Sequence, residues 1–339
     1  MKNLIKKISG VCLVVILVSG LLISCTATEE ETQSSTTTTK PVTETTLAET
    51  PKNTTPQPIT ITDQAGRQVT LKTTAPQRIV SLAPSNTEIL FALGLEDRIF
   101  GVTDYCDYPP EAREKKSVGG YSTANIEEIV AIGADLILAT SIHKDEVVPQ
   151  LEAKGLTVVV VAPKTFDEVL EGIHLIGLVT GEEEKAATLI NEMRGRIDAI
   201  TEKIAGLTDE EKVPVFYLTW HDPLKTSGGD TLINEFITTA GGKNIFSEVS
   251  GADTVDLEAL ISRNPEVMIA GTGMGTGEEK TLQFLKTESR LKDTEAAING
   301  RIYGINIDLT GRPGPRIVDG LEQFARCIHP EIFGQPDDN

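Results

Sequence analysis

From Glu182 to about Leu207 the chain carries one unbroken apolar stripe at helical spacing. Ala186, Leu189, Ile190, Met193, Ile197, Ile200, Ile204 and Leu207 share one face, and no proline intervenes. The other positions of this stretch are mostly charged, so the spacing predicts a single long amphipathic helix. On either side the pattern differs. Arg78–Leu82, Ile99–Thr103, Leu136–Ala139 and Thr157–Val161 read as short apolar strands, with helices predicted over Asn86–Leu93, Asn125–Ile132 and Val147–Lys154. Beyond the long helix the alternation resumes. Strands are predicted over Val215–Thr219, Val267–Ala270 and Ile302–Ile305, and helices over Thr231–Thr239, Leu257–Arg263 and Ile317–Ile328. Strands alternating with helices predict a mostly parallel sheet covered on both faces. The expected fold is therefore α/β, with two Rossmann-like lobes linked by one long α-helix. The boundaries are 57–180 for the first lobe, 181–208 for the helix and 209–339 for the second lobe.

At the start of the first lobe, Ile59–Thr62 and Gln68–Leu71 flank Asp63-Gln64-Ala65-Gly66 and read as a β-hairpin. A weak internal repeat links the lobes. Residues 125–140 (NIEEIVAIGADLILAT) align without a gap on 256–271 (DLEALISRNPEVMIAG), with Glu127/Glu258 and Ala139/Ala270 identical. Any two helix-to-strand units would share part of this pattern.

The N-terminus reads as an export signal. Lys2, Lys6 and Lys7 precede an apolar run from Val11 to Ile23, too short for a membrane span. It ends in Leu22-Ile23-Ser24-Cys25, which resembles the lipobox of bacterial lipoproteins. Residues 1–24 are expected to be removed and Cys25 to carry lipid, the alternative being an uncleaved anchor. Residues 25–56 are nearly all Thr, Ser, Glu, Pro, Lys and Ala and read as a disordered tether. The chain is thus expected outside the cytoplasm, anchored to the cell membrane. Of its 4 cysteines, Cys106 and Cys327 remain in the lobes. In an oxidising compartment they are expected to form a disulfide, the alternative being two separate buried thiols.

Several functions are excluded or unsupported. A formal charge of −19 opposes a nucleic-acid partner. Gly271-Thr272-Gly273-Met274-Gly275-Thr276-Gly277 follows a strand but lacks the glycine at the sixth place that a dinucleotide fingerprint needs. No P-loop and no G-x-S-x-G is present, and His143, His174, His221 and His329 lack metal-type spacing. Nothing nominates a catalytic site or a resident cofactor.

The segment Arg78-Ile79-Val80-Ser81-Leu82-Ala83-Pro84-Ser85-Asn86-Thr87-Glu88 resembles the opening of the binding proteins for vitamin B12, ferric siderophores and haem that serve ABC importers. The resemblance continues through Asp107-Tyr108-Pro109-Pro110-Glu111-Ala112, Asn125-Ile126-Glu127, Thr226-Ser227-Gly228 and Arg312-Pro313-Gly314-Pro315-Arg316-Ile317, in family order over residues 57–334. It implies a ligand cleft between the lobes and delivery of a small molecule to an ABC permease dimer with its ATPase subunits. By position it implies cleft roles for Tyr105, Tyr121, Asp308 and Arg312. Trp220 and His221 join them at a strand end, where α/β sheets hold ligands. A flat macrocycle would stack on the aromatic residues, and Arg312 would pair with an acidic group. Thr140 stands where B12-binding members carry a second cleft Trp, and the stretch near Asp253 and Thr254 also lacks a Trp. A ferric siderophore or haem therefore stays open beside a corrinoid, with His143 or His221 as an axial ligand to the metal the ligand carries, or as a solvated loop histidine. Glu127 and Glu258 match the family's permease-docking glutamates. An enzyme on a similar scaffold, or a surface adhesin, would share the fold or the lipobox but not the ordered cleft motifs.

Overall fold

The computed structural model describes residues 59–273 and 279–336. The leader 1–24, Cys25 and the tether 25–56 lie outside the described residues. Strands β1 (Ile59–Thr62) and β2 (Gln68–Leu71) pair antiparallel, with Ile61 opposite Val69. Asp63 begins the turn and does more than turn the chain. Its buried carboxylate accepts from the backbone N–H of Ala65 and Arg67, and from that of Val160, so the hairpin is tied to the first lobe.

The first lobe runs β3 (Ile79–Ser81), α1 (Pro84–Ala92), β4 (Ile99–Val102), α2 (Ile126–Ile132), β5 (Leu136–Ala139), α3 (Val147–Ala153) and β6 (Val158–Val160). Its four strands are all parallel, in the order β4-β3-β5-β6. Every residue of β3, β5 and β6 is buried, as a parallel sheet with both faces covered requires.

Helix α4 (Phe166–Thr180) lacks a clean polar face: ten of its fifteen residues are buried. Helix α5 follows over Glu183–Ile204, slightly shorter than the apolar stripe. Gly177 lets the two helices meet, since a Cβ there would come within 2.5 Å of the Ala186 Cβ. Gly181, at φ 74°, makes the left-handed turn between them.

The second lobe continues with β7 (Val213–His221), β8 (Leu224–Ser227), α6 (Leu232–Thr239), β9 (Gly242–Asn244), β10 (Ala252–Thr254), α7 (Leu257–Arg263), β11 (Val267–Thr272), α8 (Lys280–Thr287), α9 (Glu295–Ile298), β12 (Ile302–Asn306), α10 (Ile307–Thr310), α11 (Ile317–Ile328) and α12 (Pro330–Phe333). Its sheet has the order β10-β8-β7-β11-β12, with β9 also beside β7. Strands β7, β9, β11 and β12 are parallel, and β8 pairs antiparallel with both β7 and β10. The internal repeat has a structural counterpart. Helices α2 and α7 each span seven residues, end on a left-handed residue (Gly133, φ 67°; Asn264, φ 44°) and feed the buried strands β5 and β11.

The apolar core is continuous between the sheets. One cluster runs from Ile79 and Leu136 through Phe166 and Met193 to Phe236 and Phe324. The Phe166 and Phe236 rings meet edge-on at 5.0 Å, and Arg196 of α5 pairs with Asp319 and Glu322 of α11. Helix α5 thus joins the lobes by packing as well as by chain.

The expected disulfide is not formed. The Cys106 thiol is buried in the first lobe, where it hydrogen-bonds with the hydroxyls of Thr87 and Thr103. Cys327 is buried on α11 of the second lobe. Each thiol fills its own part of the core.

Candidate functional site

The first lobe's strands share one direction, so their carboxyl ends share one edge, and that edge is where chain exits leave room for a ligand. The segment after β3 supplies Ser85, and the loops after β4 supply Tyr105 and Tyr121. The turn after β5 supplies Thr140 and Lys144, and that after β6 supplies Lys164. From the second lobe, the segment after β12 brings Asp308 and Arg312. Together these exits enclose a cavity of about 700 Å³. A larger cavity of about 1020 Å³ lies among α1, α5 and the start of α11. It contains none of the residues expected to hold a ligand, whereas the smaller one contains four. The smaller cavity, at the strand ends, is the candidate ligand cleft.

Tyr105 is exposed at the rim, at 47% of its accessible surface. Tyr121 is half-buried, and burial raises its phenol pKa, an effect the hydrogen bond with the Thr140 hydroxyl partly offsets. From Asp308 and Arg312 on the cleft surface, a charged tie between the lobes runs back to Glu88 and Arg316, which line the larger cavity. Arg312 Nη1 lies 2.5 Å from Asp107 Oδ1 and 3.7 Å from Glu88 Oε1, and its Nη2 lies 2.8 Å from Asp308 Oδ1. One turn on, Arg316 donates to both oxygens of Glu88 at 2.6 and 2.9 Å and lays its guanidinium 3.8 Å from the centre of the Tyr108 ring. Burial works against ionising Asp107, but Arg312, helped by Arg113, outweighs it and holds that carboxyl below its ordinary pKa. For Glu88, burial prevails, and the two guanidinium groups restore the balance only in part, so its pKa is raised.

Several of the expected residues are engaged or placed differently from the rest. Arg312 lines the cleft, but its guanidinium is already engaged by carboxylates from both lobes instead of waiting for an acidic ligand. Trp220 and His221 end β7 but do not line this cavity. The Trp220 indole donates to the Asp222 carbonyl at 2.7 Å and leans on His221, which in turn leans on Phe284. They form an aromatic cluster of the second lobe. His143 is fully buried and both its ring nitrogens are taken, so it offers no lone pair to a metal.

Glu127 and Glu258 are exposed in the first turns of α2 and α7. Each helix runs back to feed a parallel strand, so each glutamate stands at the carboxyl edge of its sheet. Sequence reasoning missed the roles of Glu88, Asp107 and Arg316, although all three belong to the motif segments. The signal was a glutamate inside an apolar helix, which needs a cation when buried.

The chain matches the family described as periplasmic binding protein over residues 79–309. An uncharacterized ABC transporter substrate-binding lipoprotein of Bacillus subtilis is 33% identical over 281 residues, covering 81% of this chain and 87% of that protein. A cobalamin-binding protein of Halobacterium salinarum is 30% identical over 278 residues, covering 80% and 74%. Among solved structures, a possible iron-binding, periplasmic solute-binding protein of Staphylococcus epidermidis superposes with a TM-score of 0.66 at 32% identity, covering 75% and 99%.

Proposed function

This chain belongs to the periplasmic binding protein family and is the substrate-binding component of an ABC importer, and from that premise we propose that its ligand is a corrinoid of the cobalamin type. It is a binding protein, not an enzyme, and it works outside the cytoplasm. The observation that carries the ligand reading is that Tyr105 and Tyr121 both line the cleft, where aromatic rings would suit the face of a flat macrocycle. The likeness to a cobalamin-binding protein supports it. Anchoring through lipid on Cys25, and docking of Glu127 and Glu258 on a permease dimer driven by its ATPase subunits, belong to the same proposal.

A ferric siderophore or haem is the second reading, favoured by Lys144 and Lys164, which line the same cavity and would suit carboxylates on the ligand. Titration with cyanocobalamin, haemin and a ferric siderophore separates the two. The corrinoid reading expects cyanocobalamin to bind tighter than about 10 μM, roughly −7 kcal/mol. Binding of haemin or the siderophore alone would overturn it. An absorption spectrum of protein purified from its native source gives an independent answer.

A further inference from the structure

His143 sits at the end of the single 3₁₀ turn that follows β5, with no exposed surface. Its Nδ1 lies 3.1 Å from the Thr140 backbone nitrogen, and its Nε2 lies 2.6 Å from the Tyr121 carbonyl oxygen. An amide N–H can only donate, so Nδ1 is the acceptor. A carbonyl can only accept, so Nε2 carries the proton. The two bonds therefore define one neutral tautomer. They also join two cleft segments, the turn after β5 and the loop that carries Tyr121. That loop is held below its tip by backbone bonds from Asp104 to Gly119 and from Asn125 to Val118. At the tip, His143 grips the Tyr121 backbone, and the edge of one ring faces the other at 5.7 Å and 77°. The Tyr121 phenol meets the Thr140 hydroxyl, so both ends of the tyrosine are tied to this one turn.

We propose that His143 is a positioning residue for the ligand cleft, acting as a clip that sets where the Tyr121 ring stands. The clip rests on the reading of this cavity as the ligand site, because its consequence for binding passes through Tyr121. Burial, which lowers the imidazole pKa despite the two backbone bonds, keeps His143 neutral and so keeps Nδ1 free to accept.

The test compares H143Q, which retains one donor and one acceptor, with H143L, which keeps bulk but loses both. With cyanocobalamin and haemin as the probes, H143L should weaken binding about ten-fold while H143Q stays within about two-fold. In a Y121A background H143L should cost no further affinity, because the two residues act as one unit. Additive losses would overturn the proposal. A ligand-free readout keeps it separable from the ligand assignment. The structure of unliganded H143L should show the Tyr121 ring displaced, and that of H143Q should show it in place. A Tyr121 ring unmoved in H143L would sink the clip whatever the ligand. Failure of the wild type to bind either probe, with the ring displaced in H143L, would sink the ligand reading and leave the clip standing. If H143L does not fold, H143N, whose shorter amide reaches only one of the two partners, takes its place with the same expectations.

Discussion

Arg312 and Asp107 meet at 2.5 Å between the two lobes, although 205 residues separate them in sequence. The contact belongs to a short row in which Arg312 and Arg316 of the second lobe face Asp107 and Glu88 of the first. The Glu88 side chain is only 2% exposed and that of Arg312 10%, so water does little to screen them. Arg312, which lines the candidate cleft, is thus already answered by carboxylates, whereas Lys144 and Lys164 of the same cavity have no carboxylate within ion-pair distance among the described residues.

Removing one partner of the Glu88–Arg316 pair leaves a buried charge without its counter-ion. Arg316→Met should destabilise the protein by about 3–5 kcal/mol in urea unfolding. Glu88→Gln should lose less, since an amide still accepts from Arg316. The sign of the pKa shift agrees. The Glu88 carboxyl is raised in the fold, so its contribution is fully present below the unfolded value and is lost as pH rises through the folded one. A glutamine, neutral throughout, avoids that loss. Equal losses for the two variants would contradict this account.

Tyr121 lines the cleft and Trp220 does not. Tyr121→Ala should therefore weaken binding of the preferred probe about ten-fold, and Trp220→Phe should leave it within experimental error. Isothermal titration with cyanocobalamin and haemin checks both. The opposite ranking would place the ligand on the aromatic cluster at the end of β7.

The buried His143 imidazole titrates below its ordinary value in the fold. A base held neutral by folding contributes stability that is full above its unfolded pKa, about 6.5, and falls as pH drops through that value toward the folded one. The midpoint of thermal unfolding should thus decline from pH 7.5 to pH 5 more steeply in the wild type than in His143→Gln. Parallel declines would remove His143 as the cause.

Cys106 and Cys327 are 3% and 2% exposed, and burial raises the Cys106 thiol pKa. In a soluble version starting at residue 57, neither should react with a thiol reagent at pH 8 while the protein is folded. Both should react after denaturation without any reductant. A requirement for reductant would show that they pair after all.

Glu127→Lys combined with Glu258→Lys should abolish uptake in cells while ligand affinity and unfolding midpoint stay unchanged. Both side chains are exposed, and neither is a cleft residue. Surviving uptake would reduce the two glutamates to helix starts favoured by the helix dipole. Loss of ligand binding would tie them to the cleft instead.

The elements of this fold were legible in the sequence wherever the signal was local. The β-branched run at Val158–Val160, the periodic stripe of α5, and the seven-residue helices that end at Gly133 and Asn264 each follow from residues within a few positions of one another. The bounds of helix α4 were not legible, because burial on nearly all sides removes the alternation that marks where a helix begins and ends. The motif segments also bring Tyr105, Tyr121, Asp308 and Arg312 together around one cavity, because chain exits gather at the carboxyl ends of parallel strands. What only the tertiary structure decided was which polar groups answer which. His143 faces a carbonyl and an amide, Arg312 faces Asp107 and Asp308, and the two thiols lie in different parts of the core. Apart from the Arg312–Asp308 and His143–Thr140 pairs, each within a single turn, these relations join residues that pattern and spacing do not connect. A buried polar group takes its partner from whatever the folded chain brings within hydrogen-bonding distance, and that distance is set by packing, not by sequence order.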